Sequence, residues 1–279
     1  VTRPFENAIK THNYQWLPIG SQANLEAATI DDVRAFHKTY YVPNNATLVV
    51  AGAFKTADLR KLAAKYFGGI PKGTGEIPRP ARPEPEQTAE RRVTDNDTKT
   101  PLPAVILAYH TPGMGHPDNY ALSIASNILS GGQSSRLYQR MVYEKQLALQ
   151  AAGESFALED HGLFFFLSIL NAGTDAKIGE AELAAEIDRL KNDLVTEAEL
   201  EKARTQVVAG LAAGRQSVQD KATAIGEAAT LRDSPNIVNE ELPNYMRVTA
   251  ADVQRVARKY LTNENRTVIY MLPGKGEAK

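Results

Sequence analysis

The chain has 279 residues, 43% of them hydrophobic and 23% charged, enough for a large core and about two domains. A formal net charge of −1 gives no electrostatic case for nucleic acid or an anionic membrane as partner, and no apolar run is long enough for a membrane-spanning helix. There is no cysteine, which excludes disulfides, cysteine-ligated zinc and thiol catalysis within this chain.

The first strong signal along the chain is a T-x-x-D capping box at Thr29 and Asp32. It opens a helix with Val33, Phe36, His37 and Tyr40 at helical spacing. An Asn-containing turn and an apolar strand over Thr47–Ala51 are predicted next, then a helix over Thr56–Phe67. Residues 71–90 hold five prolines and read as an extended interdomain linker. Strands are expected at Arg91–Asp97 and Pro103–His110, and an amphipathic helix from Asp118 to Leu129, stopped by Gly131-Gly132. Ser134 or Ser135 is placed to cap a helix reaching about Lys145. Two strands come next, at 147–158 and 162–171. The nearly unbroken apolar run from Leu163 to Leu170 suggests that the second is buried on both faces. Ala176–Leu194 is helical, and a T-x-x-E box at Thr196 and Glu199 opens a long helix towards Leu231, with Gly210 and Gly214 marking a kink.

The sequence contains an internal repeat. TIDDVRAFHKTYYVPNNATLVV, from Thr29, aligns without a gap to TAADVQRVARKYLTNENRTVIY, from Thr249, at an offset of 220 residues. Thr29, Asp32, Val33, Tyr40, Asn45 and Thr47 recur as Thr249, Asp252, Val253, Tyr260, Asn265 and Thr267. The pattern implies an α+β fold: a duplicated module of mostly antiparallel sheet covered by helices, with the first copy truncated. On that reading residues 1–70 end the first module, 71–90 form the linker and 91–279 make the complete second module. The first module would begin on the order of 130–150 residues before Val1.

No catalytic residue and no metal ligand is assigned. The five histidines, His12, His37, His110, His116 and His161, form no H-x-x-E-H or H-E-x-x-H pattern. His110 and His116 flank a Gly-rich loop and read as solvated turn residues, His161 as part of a surface turn and His37 as a packing residue. Gly131, Gly132, Ser134, Ser135 and Arg136 form the one candidate substrate-binding stretch. They could cradle an anion at a helix start, or serve only as a glycine C-cap and a serine N-cap.

The stretch Ile19–Gly52, IGSQANLEAATIDDVRAFHKTYYVPNNATLVVAG, resembles the end of the first module in pitrilysin-type metallopeptidases, the inverted zincins. ILSGGQSSRLYQRMVYEKQLAL, from Ile128, is similar to the start of the second module in the same family, including its bacterial processing-peptidase-like members. The resemblance implies a processing-peptidase-like metallohydrolase fold and zinc-dependent peptide hydrolysis by the full-length parent. The zinc-binding H-x-x-E-H would lie upstream of Val1, so this chain would bind no zinc and be inactive alone. Where the family's second module carries an Arg and a Tyr for the tetrahedral intermediate, this chain has Val142 and Leu149, which cannot donate a hydrogen bond. The implied partners are a peptide substrate and a homologous peptidase subunit in a homo- or heterodimer, with no nucleic acid and no membrane. The implied location is the periplasm or another exported compartment. A non-catalytic scaffold or partner subunit of a peptidase heterodimer is the alternative.

Overall fold

The computed structural model describes residues 3–16, 18–80, 82–97 and 100–274. In chain order it contains α1 (Arg3–Ala8), α2 (Gln22–Ala27), α3 (Ile30–Tyr40) and α4 (Thr56–Phe67). Next come β1 (Arg91–Asp97), β2 (Ala104–Pro112), α5 (Asp118–Ser130), a π-helix (Tyr138–Glu144), β3 (Ala148–Ala157) and β4 (His161–Leu170). The chain ends with α6 (Ala176–Asn192), α7 (Glu197–Ala213), α8 (Val218–Leu231), α9 (Glu241–Arg247), α10 (Ala250–Tyr260) and β5 (Arg266–Pro273).

These elements form two compact units. The first gathers the residues up to Trp16, Pro83–Leu211 and the residues from Asn239 onward; the second gathers Leu17–Arg82 and Ala212–Val238. The first unit holds a five-stranded sheet of order β1-β5-β2-β4-β3. β1 runs parallel to β5, and every other pairing is antiparallel. Strand alternation sends alternate side chains to opposite faces. Val105, Leu107 and Tyr109 of β2 join Phe164 and Phe166 of β4 in the main core. That core is roofed by α5, α6 and α10. Ile106, Ala108, Leu163 and Phe165 point the other way, into a smaller cluster with Ala8 and Ile9. The run from Leu163 to Leu170 is therefore buried on both faces of the sheet, as its composition implies.

The repeat is visible atom by atom. In both copies the threonine hydroxyl accepts the amide proton of the aspartate three residues on, and that carboxylate accepts the threonine amide. Both helices have 11 residues. The segments after the two helices differ. In the second copy β5 pairs on both sides. Thr47–Ala51 lies in no ladder, so the predicted strand does not form among the described residues. A strand is defined by its partner, and none is present beside it here. The burial differs too. Val253, Val256 and Val268 are buried in the first unit, whereas their counterparts Val33, Phe36 and Leu48 are 58%, 58% and 61% exposed. Among the described residues of the second unit only Ala228 is buried.

Three further expectations are corrected. The long helix towards Leu231 is broken at 214–217, because Ser217 and Asp220 form a capping box that starts α8 afresh. The helix expected to reach Lys145 is wound as a π-helix over most of its length, with the Lys145 amide bonded to the Arg140 carbonyl. This winding brings residues five apart onto one face, and Arg140 and Lys145 both pair with Glu182. His37 is exposed and stacks on Tyr41 instead of packing inward.

Candidate functional site

The candidate stretch Gly131–Arg136 joins α5 to the π-helix. Gly132 has φ +84°, a left-handed conformation that favours glycine. A side chain on Gly131 would collide with the carbonyl and side chain of Asn127. The glycines thus make the tight turn, but the polar residues after them are largely committed. Arg136 grips Glu199 with two parallel bonds, Nε to Oε1 at 2.7 Å and Nη2 to Oε2 at 3.0 Å. This bond, outweighing burial, holds the Glu199 carboxyl down to about 2. Ser134 Oγ accepts from Lys202 Nζ at 2.6 Å. Ser135 does not cap through its side chain: its hydroxyl is buried without a hydrogen-bond partner among the described residues, as is Arg136 Nη1. These residues line a cavity of about 190 Å³ that also receives Arg140, Glu144, Glu186 and Arg189. Each guanidinium there has a carboxylate partner, which leaves little excess charge to hold an anion.

A second cavity, of about 270 Å³, is lined in part by Gly131 of the same turn. Ser123, Ser126, Asn127 and Ser130 of α5, Gly131, and Gly153, Glu154 and Ser155 of β3 line it, with Val207 of α7. Asn127 Oδ1 and Ser130 Oγ are buried there without partners among the described residues. The cavity opens beside the edge strand of the sheet. The two edges are built differently. β1 carries Arg91, Arg92, Asp95 and Asp97 in seven residues, charges of the kind that discourage a further strand. β3 carries only Glu154 in ten, with a bulge at Leu149. Leu149 is 62% exposed and Val142 packs on the core, and neither side chain offers a hydrogen-bond donor.

The sequence reading missed a cluster of three imidazoles. His110 lies half-buried on β2 and not in a solvated turn. His161 opens β4 and is likewise half-buried. His12 is buried, with its ring 4.3 Å from that of His161. Separations of about 50–150 residues gave no local pattern to find. These rings do not fit a zinc site. His12 uses both nitrogens on Tyr14 and Asp160, and His110 Nε2 is bonded to the Ala8 carbonyl. Among the described residues no group of three His, Cys, Asp or Glu side chains is placed to hold a metal ion.

Residues 27–207 match the family described as the peptidase M16 inactive domain. The chain belongs to this family. Along 97% of its length it is 29% identical to the zinc protease PqqE of Helicobacter pylori, covering 61% of that protein. It is 24% identical to the uncharacterized zinc protease YmxG of Bacillus subtilis over 91% of its length, covering 60% of that protein. The crystal structure of a protease from H. pylori superposes with a TM-score of 0.91 at 29% identity, over 97% of this chain and 66% of that one. The chain spans about three fifths of the length of these curated relatives. The matched span takes in β1 to β4 of the sheet.

Proposed function

We propose that this chain is the C-terminal portion of a zinc peptidase subunit and forms a non-catalytic wall of the peptide chamber, where an extended peptide pairs with the outer edge of β3. The observation that carries this reading is the charge-poor edge of β3 beside a hydroxyl-lined cavity. Main-chain pairing would supply affinity, and the cavity would take one side chain of the added strand. Glu154 at its rim favours a lysine or arginine there. Gly131 and Gly132 shape the turn, with Gly131 lining this cavity and Ser134, Ser135 and Arg136 lining the smaller one.

The same reading divides the chain into the end of a zinc-bearing first module over residues 1–70, a linker over 71–90 and the second module over 91–279. It is supported by the bare apolar face of α3, whose repeat counterpart α10 is covered by α5 and α6. Zinc would be held by the parent's first module, and a homologous subunit would complete the chamber. An exported or periplasmic location is part of the same proposal, suggested by the family resemblance; among the described residues no helix is long and apolar enough to cross a membrane. Val142 and Leu149 favour, as a second reading, a subunit whose role is scaffolding alone.

The test is hydrogen exchange with an extended decapeptide bearing a central lysine. Slowed exchange of β3 amides, weakened by Glu154→Lys, supports the peptide wall. Unchanged β3 exchange at saturating peptide refutes it.

A further inference from the structure

The N-terminal segment 3–16 lies on the face of the sheet opposite the main core, where Ala8 and Ile9 are buried against Ile106, Ala108, Leu163 and Phe165. Its polar attachments converge on the three imidazoles. His110 Nε2 donates to the Ala8 carbonyl at 2.9 Å, and Arg91 donates to the same oxygen. His12 Nδ1 accepts the Tyr14 amide at 3.1 Å, so the ring proton sits on Nε2, which donates to Asp160 Oδ2 at 3.0 Å. Tyr14 Oη accepts the Asp160 amide. His161 sits between them, its ring centre 4.3 Å from His12, 5.0 Å from Tyr14 and 6.4 Å from His110. Its Nε2 is buried without a partner among the described residues.

We propose that His12, His110 and His161 form an acid-sensitive latch that seats residues 3–16 on the open face of the sheet at neutral pH and releases them on acidification. The geometry offers His161 Nε2 no partner for a second ring proton among the described residues. A proton on His161 would place a cation in an unpaired, half-buried position against two other imidazoles. The groups facing the cluster are Asp160, Glu159 and Glu84, which would favour a charge, and Arg91, which opposes one. Glu84 is already spent on the Lys10, Thr11 and His12 amides, and Asp160 on His12. Burial, with His12 and His110 adding to it, pushes His161 down to about 4 from the ordinary 6.5. Burial also lowers His110. Release frees both rings to take up protons, so acid favours the released state.

The size follows from His161 alone. Between about pH 7.5 and pH 5, a group moving from about 4 to 6.5 on release shifts the opening equilibrium roughly 30-fold. Hydrogen exchange corrected for intrinsic rates reads this directly. Protection of residues 5–16 is expected to fall by about that factor at the lower pH, while β2 and β4 amides hold theirs. His161→Phe keeps a ring in place without a titrating nitrogen and should abolish most of the acid response. Equal protection of 5–16 at both pH values overturns the latch, as does an acid response in His161→Phe equal to that of the wild type. Should that variant not fold, the wild-type His161 ring resonances decide: a titration midpoint well below the ordinary value supports the latch, and one near 6.5 overturns it.

Discussion

The side-chain amide of Asn265 donates to the carbonyl of Tyr260 at 2.7 Å, and 220 residues earlier Asn45 makes the same bond to Tyr40 at 2.9 Å. Each closes the end of its repeated helix and directs the chain onward from it. In the second copy the bond is part of something larger, because Asn265 also donates to the His110 carbonyl at 2.8 Å and so ties helix to sheet. In the first copy no strand lies beside Asn45 among the described residues, and it accepts instead from Arg79. Asn265→Ala should therefore cost about 1–3 kcal/mol, since it leaves two partly buried backbone carbonyls unpaired, and Asn45→Ala no more than about 1. Urea unfolding with exchange measured at β5 and α3 amides separates the two.

The same asymmetry predicts how charges are tolerated. Val256→Asp buries a carboxylate among apolar side chains and should unfold the sheet unit, at a cost above about 4 kcal/mol. Phe36→Asp, at the matching position, lies on an exposed face and should change the stability of this chain by about 0.5 kcal/mol or less. If a first module covers α3 in the longer protein, the same substitution there becomes as damaging as Val256→Asp. Thermal unfolding of both forms checks this, and a tolerated Phe36→Asp in the longer protein argues against the module division.

Much of this was legible in the sequence because the signals are local. A capping box needs residues three apart, and the boxes at Thr29, Thr196 and Thr249 all form. β1 coincides with its expected limits, and β3 and β4 fall within about a residue of theirs. The misses depend on distant partners. Thr47–Ala51 has the composition of a strand, but pairing lies outside its own sequence. The π-winding before Lys145 brings it and Arg140 to Glu182, almost 40 residues away. The stretch ending at Arg136 stayed open between an anion cradle and plain helix caps because Glu199 lies more than 60 residues on. The imidazole cluster joins three elements that no short window contains.

Metal content is a direct measurement. This chain, dialysed after exposure to zinc, should retain less than about one zinc per ten chains and cleave no peptide. His12 and His110 are held by Tyr14, Asp160 and Ala8, so recruiting them beside His161 would cost those bonds. One tightly held zinc per chain by elemental analysis would overturn the assignment of the metal to the parent's first module.

Acid should weaken the first unit in two separable stages. The histidines act first: groups held below their ordinary value lose stability as the pH falls from about 6.5 towards 4. Carboxylates act second. Burial pushes Asp118 up, but hydrogen bonds from Tyr260, Arg255 and Lys259 outweigh it and bring the carboxyl to about 2. Glu199 is held at about 2, mainly by Arg136. A carboxylate depressed by folding contributes its stability above its ordinary value, and that contribution disappears as the pH falls through about 4 towards 2. Asp118 joins the start of α5 to α10, and its cations are half exposed, so Asp118→Asn should cost about 1.5–3 kcal/mol at neutral pH and flatten the lower stage. His161→Phe should flatten the upper stage and leave the lower one intact. Melting temperature recorded across pH 2–8 for the wild type and both variants tests the separation, and a single acid transition unchanged by His161→Phe would show that the imidazoles contribute nothing to it.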